Sequence, residues 1–591
     1  MFNLNNKIYY YSKKLQTILL FSKKVNIVIP HFCYHPLLSI AGNCRICMVE
    51  VLGSIKPVIA CATIIMKGMI IFTNSELVKC IRENILEFLL INHPLDCPIC
   101  DQAGECDLQD LSMIYGSDKS RFIEKKKSVT NKYFNNIIKV NMTRCINCTR
   151  CIRYADELAG VPFLGTMGKG VNMEISNYFK NLFISEVSGN IIDICPVGAL
   201  NNKITSYQLR NWELYNHVSI DLFDSLNQNI LVQTKENNIV RVLPLKKNLI
   251  NMELITDNAR FFYLKMKKNR IFFPFIEYIN KLKINNNNCS WNYSIKLFFK
   301  YYNKNNKSKI IFLDNYIDFL DLEVVKLLSY KLKFFNTNKY ERLFNNNRNN
   351  WLLNIDINTF NKIKNIFFMF INLKKTNSIL NINIYNNLIN ETYFNIYSIG
   401  IFNENIYKLN HLFISINEIN NLYINKLYNL NIFIKNKYDI FRKNNNSNIL
   451  NKFFIMINKL NIYSNINHEY HYISETSTEI MLHELSLKNV YLNKKKYNFL
   501  YNISTYNNIE INKYFNFIVF QISNYNTNIK KNIKYKLALY LPTKIYYENL
   551  GIYYNLFFKK QIINTLVISS KNSVANKIVL HVIMEYYNNF K

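Results

Sequence analysis

Twelve of the chain's 13 cysteines lie between Cys33 and Cys195, and all of these but Cys80 fall into three constellations. The first is Cys33, Cys44, Cys47 and Cys61. A [2Fe–2S] centre takes four thiolates, and a loop must wrap its inorganic core with backbone N–H groups near the sulfurs. Ser39 to Cys44 offers such a loop, and Gly42 lets the backbone approach without a Cβ clash. Structural zinc is the competing chemistry. Zinc ligands usually arrive as two close pairs, and only Cys44 and Cys47 form one here, so the cluster is the preferred reading. Disulfides are disfavoured by the Cys-x2-Cys chemistry and an apparently intracellular setting.

The second constellation is His93, Cys97, Cys100 and Cys106. Three cysteines make an incomplete [4Fe–4S] set, and His93, just past a helix end, is placed to supply the fourth ligand through a ring nitrogen. A neutral imidazole in place of a thiolate removes a negative charge, which should raise the reduction potential. Gly104 would allow the turn back to Cys106. The third constellation is Cys145, Cys148 and Cys151, completed after 43 intervening residues by Cys195 before Pro196. Close triplet plus remote Cys-Pro is the bacterial-ferredoxin pattern for [4Fe–4S]. No second close triplet precedes Cys195, so it most simply completes this one. Arg144, Arg150 and Arg153 flank the set, either balancing an anionic cluster or lying on solvated surface.

These ligands must be held by local elements. Val25–Ile29, Met48–Leu52, Val58–Ala60 and Met69–Phe72 read as strands of a small sheet-rich domain. Met1–Ile29 is basic but lacks arginine and a small-residue cleavage site, so it reads as opening strands rather than a targeting peptide. A helix should follow, with Thr73 and Glu76 as a capping box. Leu77, Ile81, Ile85 and Phe88 or Leu89 would form its apolar face, and Pro94 would end it near His93. Cys80 within it reads as a buried, inert thiol. Farther on, Val218–Leu222, Asn229–Thr234 and Ile239–Leu243 form a small β unit. Beyond residue 270 only Gly400 and Gly551 remain as glycines. Asn303–Ser308 and Lys443–Asn448 look like polar loops.

The bulk composition bounds the rest. A chain of 591 residues needs several cores, and 49% hydrophobic content supports them. No apolar run approaches the roughly 18–20 residues that span a bilayer. The best candidate, Ile366 to Leu373, is far too short, so the expectation is a chain that is soluble or held at a membrane only by partners. The net charge of +33 would suit nucleic acid. Its lysines, however, are spread among asparagines without a clustered footprint, which favours drift toward AT-rich codons, as in organellar genomes.

In combination, six stretches resemble the large (75 kDa) iron–sulfur subunit of respiratory complex I, the NADH:ubiquinone oxidoreductase, and its counterpart in bacterial NADH-quinone oxidoreductase. They are Pro30–His35, Ala41–Cys47, Phe88–Cys97, Gly104–Asp110, Thr143–Cys151 and Asp193–Leu200. Asn211–Leu214, Ser219–Leu222 and Thr256–Phe261 are similar to the small β module that opens the family's molybdopterin-oxidoreductase-like region. The resemblance covers residues 1 to about 267 and implies an α+β multidomain chain. Its parts would be a [2Fe–2S] ferredoxin-like β-grasp domain (1–76), a [4Fe–4S] domain with one histidine and three cysteine ligands (77–116) and a helical [4Fe–4S] domain with four cysteine ligands (117–213). The small β module (214–270) and a divergent α/β scaffold without cofactor (271–591) would follow. It further implies one [2Fe–2S] and two [4Fe–4S] clusters, relaying single electrons from a flavin- and NADH-binding subunit towards quinone-proximal iron–sulfur subunits. The setting would be the hydrophilic arm, on the matrix side of the mitochondrial inner membrane. No catalytic residue and no NADH, flavin or molybdopterin site is expected here, and no nucleic-acid partner. A pterin site would need several Gly-rich phosphate loops.

Two other readings differ in kind. A stand-alone hydrogenase or formate dehydrogenase would need further active-site cysteines or pterin loops, and after Cys195 only Cys289 remains. A structural zinc or nucleic-acid-binding protein would be colourless, with paired ligand sets.

Overall fold

Short β-branched runs pair into a sheet at the chain's start, as their alternation requires. In the computed structural model the described residues are 1–10, 16–177, 182–208, 210–245, 253–267, 269–280, 283–304, 309–313, 316–338, 365–369, 373–390, 395–399, 410–413, 454–458, 468–472, 477–485, 487, 499–503, 514–524, 534–569 and 573–589. They form two compact units, Met1–Leu214 and Tyr215–Lys591.

In the first unit, β1 (Phe2–Leu4), β2 (Lys7–Tyr9), β3 (Met48–Val51), β4 (Val58–Ile59) and β5 (Ile70–Phe72) make one sheet in the order β2-β1-β5-β3-β4. Only the β1–β5 pair is parallel. Phe2, Leu4, Val49, Val51 and Ile71 pack beneath α1 (Ile18–Lys24). Val25–Ile29 is not a strand. Thr17 caps α1 by accepting from the Leu20 N–H at 3.4 Å, and the amides of Val25 and Ile27 close back onto Phe21 and Ser22. The Val25 and Ile27 amides are thus engaged at the helix end instead of in a ladder.

The next helix, α2 (Glu76–Ile91), ends before Pro94 as expected, but its start and its buried face both differ from expectation. Thr73 is engaged with Asn5, so Ser75 caps instead, its Oγ accepting from the Val78 N–H at 3.4 Å. The buried residues are Val78, Arg82 and Leu86, while Leu77 and Phe88 are 49% and 76% exposed. The helix is turned by one residue because Arg82 goes inward, donating to the Thr73 carbonyl at 3.0 Å and lying over the Tyr115 ring. The same turn leaves Cys80 exposed, not buried. Short elements follow: α3 (Asp107–Tyr115), β6 (Ile138–Val140), α4 (Arg150–Arg153), β7 (Leu164–Met167), β8 (Glu174–Asn177), α5 (Asn190–Ile194) and β9 (Leu200–Asn202). β6 pairs with β9 and β7 with β8, both antiparallel.

The second unit opens with the expected antiparallel sheet β10 (Tyr215–Ile220), β11 (Asn229–Lys235) and β12 (Asn238–Pro244). Its larger, seven-stranded sheet runs in the order Lys283–Asn288, Phe275–Asn280, Lys534–Pro542, Tyr514–Ile522, Phe499–Ile503, Lys309–Leu313, Phe335–Asn338. The last five strands are mutually parallel. Side chains alternate between two buried clusters, Ile311, Tyr501, Val519 and Leu539 on one face and Ile310, Leu500, Ile518 and Ala538 on the other. Burial on both faces is the mark of a parallel sheet in a layered α/β fold. A five-stranded sheet, with Asn365–Met369 at its centre, belongs to the same unit. Asn303 and Lys304 end the helix Trp291–Lys304 rather than a loop, while 305–308 and 443–448 lie outside the described residues. No helix among the described residues is long and apolar enough to cross a membrane.

Leu86 is fully buried where α2 meets the cysteine-bearing core. Leu86→Ala should destabilise the first unit by about 2–5 kcal/mol. Urea unfolding should show a lower midpoint at unchanged slope; an unchanged midpoint would mean that the helix is not packed as described.

Candidate metal centre

The β3–β4 hairpin assembles half of the first set. Met48 faces Ile59, and the Ala60 amide donates to the Cys47 carbonyl at 3.0 Å, which brings Cys47 and Cys61 together across their sequence gap. The loop before β3 supplies the other half. Gly42 and Arg45 both adopt left-handed backbone, with φ of +66° and +61°. The loop folds so that the Cys44 thiol donates to Cys33 Sγ at 3.3 Å and the Cys33 amide reaches Cys44 Sγ at 3.4 Å. All four side chains are buried. Hydrogen bonds from Cys44 and Cys61 pull the Cys33 thiol down, and one from Cys61 does the same for Cys47. The donors shift the other way: those same bonds, with burial, push Cys44 and Cys61 up. Ionising all four together needs added positive charge at their centre.

In the third set, Asn147 and Thr149 take left-handed backbone, with φ of 53° and 60°, and so turn the Cys145–Cys151 loop tightly. Cys195 is returned to this loop by the β6–β9 pair, reinforced by the Asn141 amide on the Ala199 carbonyl at 2.8 Å. Burial pushes Cys145 and Cys195 up to about 12 and raises Cys148 and Cys151 as well. Backbone N–H groups oppose this: that of Asn147 at Cys145, that of Arg150 at Cys148, and those of Val197, Leu200 and Ala199 at Cys195. Four thiols close enough to oppose one another's ionisation, with amide donors around them, suit an anionic metal–sulfur group.

The second set is less converged. Cys106 is buried and within electrostatic reach of Cys100, whereas Cys97 is exposed. Gly104 turns with φ +88°, and the Arg210 guanidinium holds the Cys100 and Pro98 carbonyls. At Gly198 a side chain would be driven to 2.3 Å from Cys100 Sγ, which ties this set to the Cys195 loop. His93 lines a cavity of about 90 Å³ with Cys145, and the charges that reach it are Lys126, Arg144 and Asp96 rather than the three thiols. Its Nδ1 is buried without a hydrogen-bond partner. Burial, aided by Lys126 and Arg144, holds its pKa down to about 4, so the ring is neutral and its lone pair is available. That is the form in which a histidine ligates metal. Among the described residues, no three His, Cys, Asp or Glu side chains already converge as ligands of one metal ion.

One apolar cluster unites members of all three sets: Cys33 and Cys44, Cys106, and Cys145, Cys148 and Cys195, packed with Phe32, Ile46, Leu86 and Val197. The residues present fit iron–sulfur groups. Their donors are thiols with one unpartnered imidazole, and amide N–H groups point at sulfur. Sequence reasoning missed Asn147, Thr149, Gly198 and Arg210. A glycine two residues after Cys-Pro was the one readable signal; Arg210 acts through tertiary contacts alone.

Comparison with known proteins points the same way. Residues 82–121 match the NADH-ubiquinone oxidoreductase-G iron-sulfur binding region. Residues 135–201 match the NADH-quinone oxidoreductase subunit 3, ferredoxin-like domain. Residues 215–263 match the NADH-ubiquinone oxidoreductase NDSU1/NuoG-like, 4Fe-4S domain, although this stretch holds no cysteine. The chain is 54% identical over 265 residues to the NADH-ubiquinone oxidoreductase 75 kDa subunit of Reclinomonas americana, covering 45% of this chain and 38% of that one. It is 51% identical over 263 residues to the mitochondrial NADH dehydrogenase [ubiquinone] iron-sulfur protein 1 of Solanum tuberosum, covering 44% and 36%. With an NADH-quinone oxidoreductase subunit of Rickettsia prowazekii it shares 43% identity over 335 residues, covering 56% and 49%. The chain thus spans half or less of the length of these relatives. Among solved structures, an NAD+-reducing [NiFe]-hydrogenase chain matches at 26% identity and a TM-score of 0.33, over 35% of this chain and 89% of its own.

The raised thiols carry a pH dependence in the metal-free protein. Folded Cys145 and Cys195 titrate near 12 against an ordinary value of 9, so the folded state binds the extra protons. Their contribution is complete below about pH 9 and is lost as pH climbs toward about 12. Urea unfolding of metal-free chain should give lower stability at about pH 11 than at about pH 8; equal or higher stability would contradict the burial of these thiols.

Proposed function

We infer that this chain, which belongs to the family of the large iron–sulfur subunit of NADH-quinone oxidoreductase, relays single electrons between partner proteins through centres held by residues 33–195. The observation that carries the reading is the shared apolar cluster, in which thiols of all three sets pack into one core. The first centre would be [2Fe–2S] on Cys33, Cys44, Cys47 and Cys61. The others would be [4Fe–4S], on His93, Cys97, Cys100 and Cys106 and on Cys145, Cys148, Cys151 and Cys195. Bound there, such groups accept and release one electron at a time. The chain's own part is to exclude water, to aim amides at sulfur, and to keep His93 neutral.

The partners would be a flavin- and NADH-binding subunit upstream and quinone-proximal iron–sulfur subunits downstream. The chain would lie peripherally on the matrix side of the mitochondrial inner membrane. This setting is supported by the names of the relatives. We further propose domain boundaries near residues 76, 116, 213 and 270, with 271–591 as a scaffold of molybdopterin-oxidoreductase type that lacks a cofactor. Its parallel α/β sheet supports that reading, as does the presence there of only Gly400 and Gly551 as glycines. Cys289, the one thiol beyond the three sets' region, packs partly buried against the core of its own unit.

Anaerobically purified chain should contain about ten irons, as one two-iron and two four-iron centres require. Low-temperature EPR after dithionite reduction should resolve the two types. His93→Ala should alter or abolish one four-iron signal and leave the other two centres intact. Zinc in place of iron would contradict the relay, and a full set of unchanged signals in the variant would remove His93 from the ligands.

A further inference from the structure

The three arginines beside the third cysteine set are treated differently by the fold. Arg144 is buried and ion-paired with Asp96 at 2.9 Å, so its charge is already met by a carboxylate. Arg150 is buried too, yet among the described residues no carboxylate lies within ion-pair distance of it. Its Nη1 donates to the Ile194 carbonyl at 3.2 Å and its Nη2 to the Tyr34 carbonyl at 2.8 Å, while its Nε is buried without an acceptor. Arg153 donates to the carbonyls of Cys33 at 2.6 Å, Cys148 at 3.2 Å and Ser39, and to Thr149 Oγ1 at 3.4 Å, all neutral.

A guanidinium taken out of water among neutral oxygens is costly unless an anion faces it. Both guanidinium charges instead reach Cys148, between the two ligand loops. The bonding pattern has the same direction. Arg150 joins Tyr34, the neighbour of Cys33, to Ile194, the neighbour of Cys195. Arg153 joins Cys33 itself to Cys148. Each side chain therefore ties the ligand loop of the first set to that of the third, where Asn43 and Thr149 also meet at 3.1 Å.

We propose that Arg150 and Arg153 are the positioning pair for electron passage between the first and third centres. Their forked guanidinium groups fix the spacing of the two ligand loops, and their charges favour the reduced, more negative form of both centres. The proposal rests on the iron–sulfur reading above.

The test uses full-length chain purified anaerobically with its centres, titrated redox-potentiometrically and followed by EPR. Arg153→Gln should lower the midpoint potentials of the first and third signals together, by about a tenfold change in the one-electron equilibrium, or about 59 mV, and leave the His93 centre unmoved. Arg153→Lys should restore most of the shift. Arg150→Lys keeps the charge without the fork, so potentials should hold while magnetic coupling between the two centres weakens. If Arg153→Gln sheds its centres, the two lysine variants still decide. Signals intact, with potentials unmoved in Arg153→Gln and coupling unmoved in Arg150→Lys, overturn the pair's role. Wild-type chain without these signals would instead overturn the iron–sulfur reading itself.

Discussion

A thiolate is stable in a protein interior only when something positive lies beside it. The first unit gathers eleven candidate ligand thiols between Cys33 and Cys195 and packs most of them out of water. Left to themselves they compromise: Cys33 and Cys47 are driven toward thiolate, and Cys44 and Cys61 are held as thiols to donate to them. In the third set every thiol is raised. Ionising such a core as a whole needs cations at its centre. Loops turned by Gly42, Asn147 and Thr149, amides aimed at Cys195, and arginines bonded to neutral carbonyls all answer the same electrostatic demand.

The same demand explains why the three sets share one core. Arg82 brings α2 inward with Leu86, α3 follows Cys106, and the β6–β9 ladder carries Cys195 back to Cys148. Electron passage is steep in distance, so centres serving it must be close neighbours. The second unit has no such clustering among its described residues. Its parallel sheet is covered on both faces by aliphatic and aromatic side chains, which suits a scaffold.

The candidate ligand sets could be picked out in the sequence because thiol spacing of this kind is dictated by the inorganic group it holds and survives compositional drift. Met48–Leu52, Val58–Ala60, Met69–Phe72 and the three strands of 215–244 were legible through their alternation. What failed was decided by tertiary contacts. The amides of Val25 and Ile27 were claimed by a helix end, Thr73 was claimed by Asn5, and Arg82 entered the core, rotating α2 and exposing Cys80. The roles of Arg144, Arg150 and Arg153 were open at the level of sequence. Only the partners of each guanidinium separate the carboxylate-paired Arg144 from the two that bridge ligand loops.

The central claim is that the first and third centres are immediate neighbours in one apolar core. Pulsed EPR tests it most directly, by following the spin relaxation of the two-iron signal as the chain is reduced stepwise. The account predicts that this signal relaxes markedly faster once the four-iron centre of Cys145, Cys148, Cys151 and Cys195 becomes paramagnetic. Relaxation indifferent to that centre's redox state would contradict it.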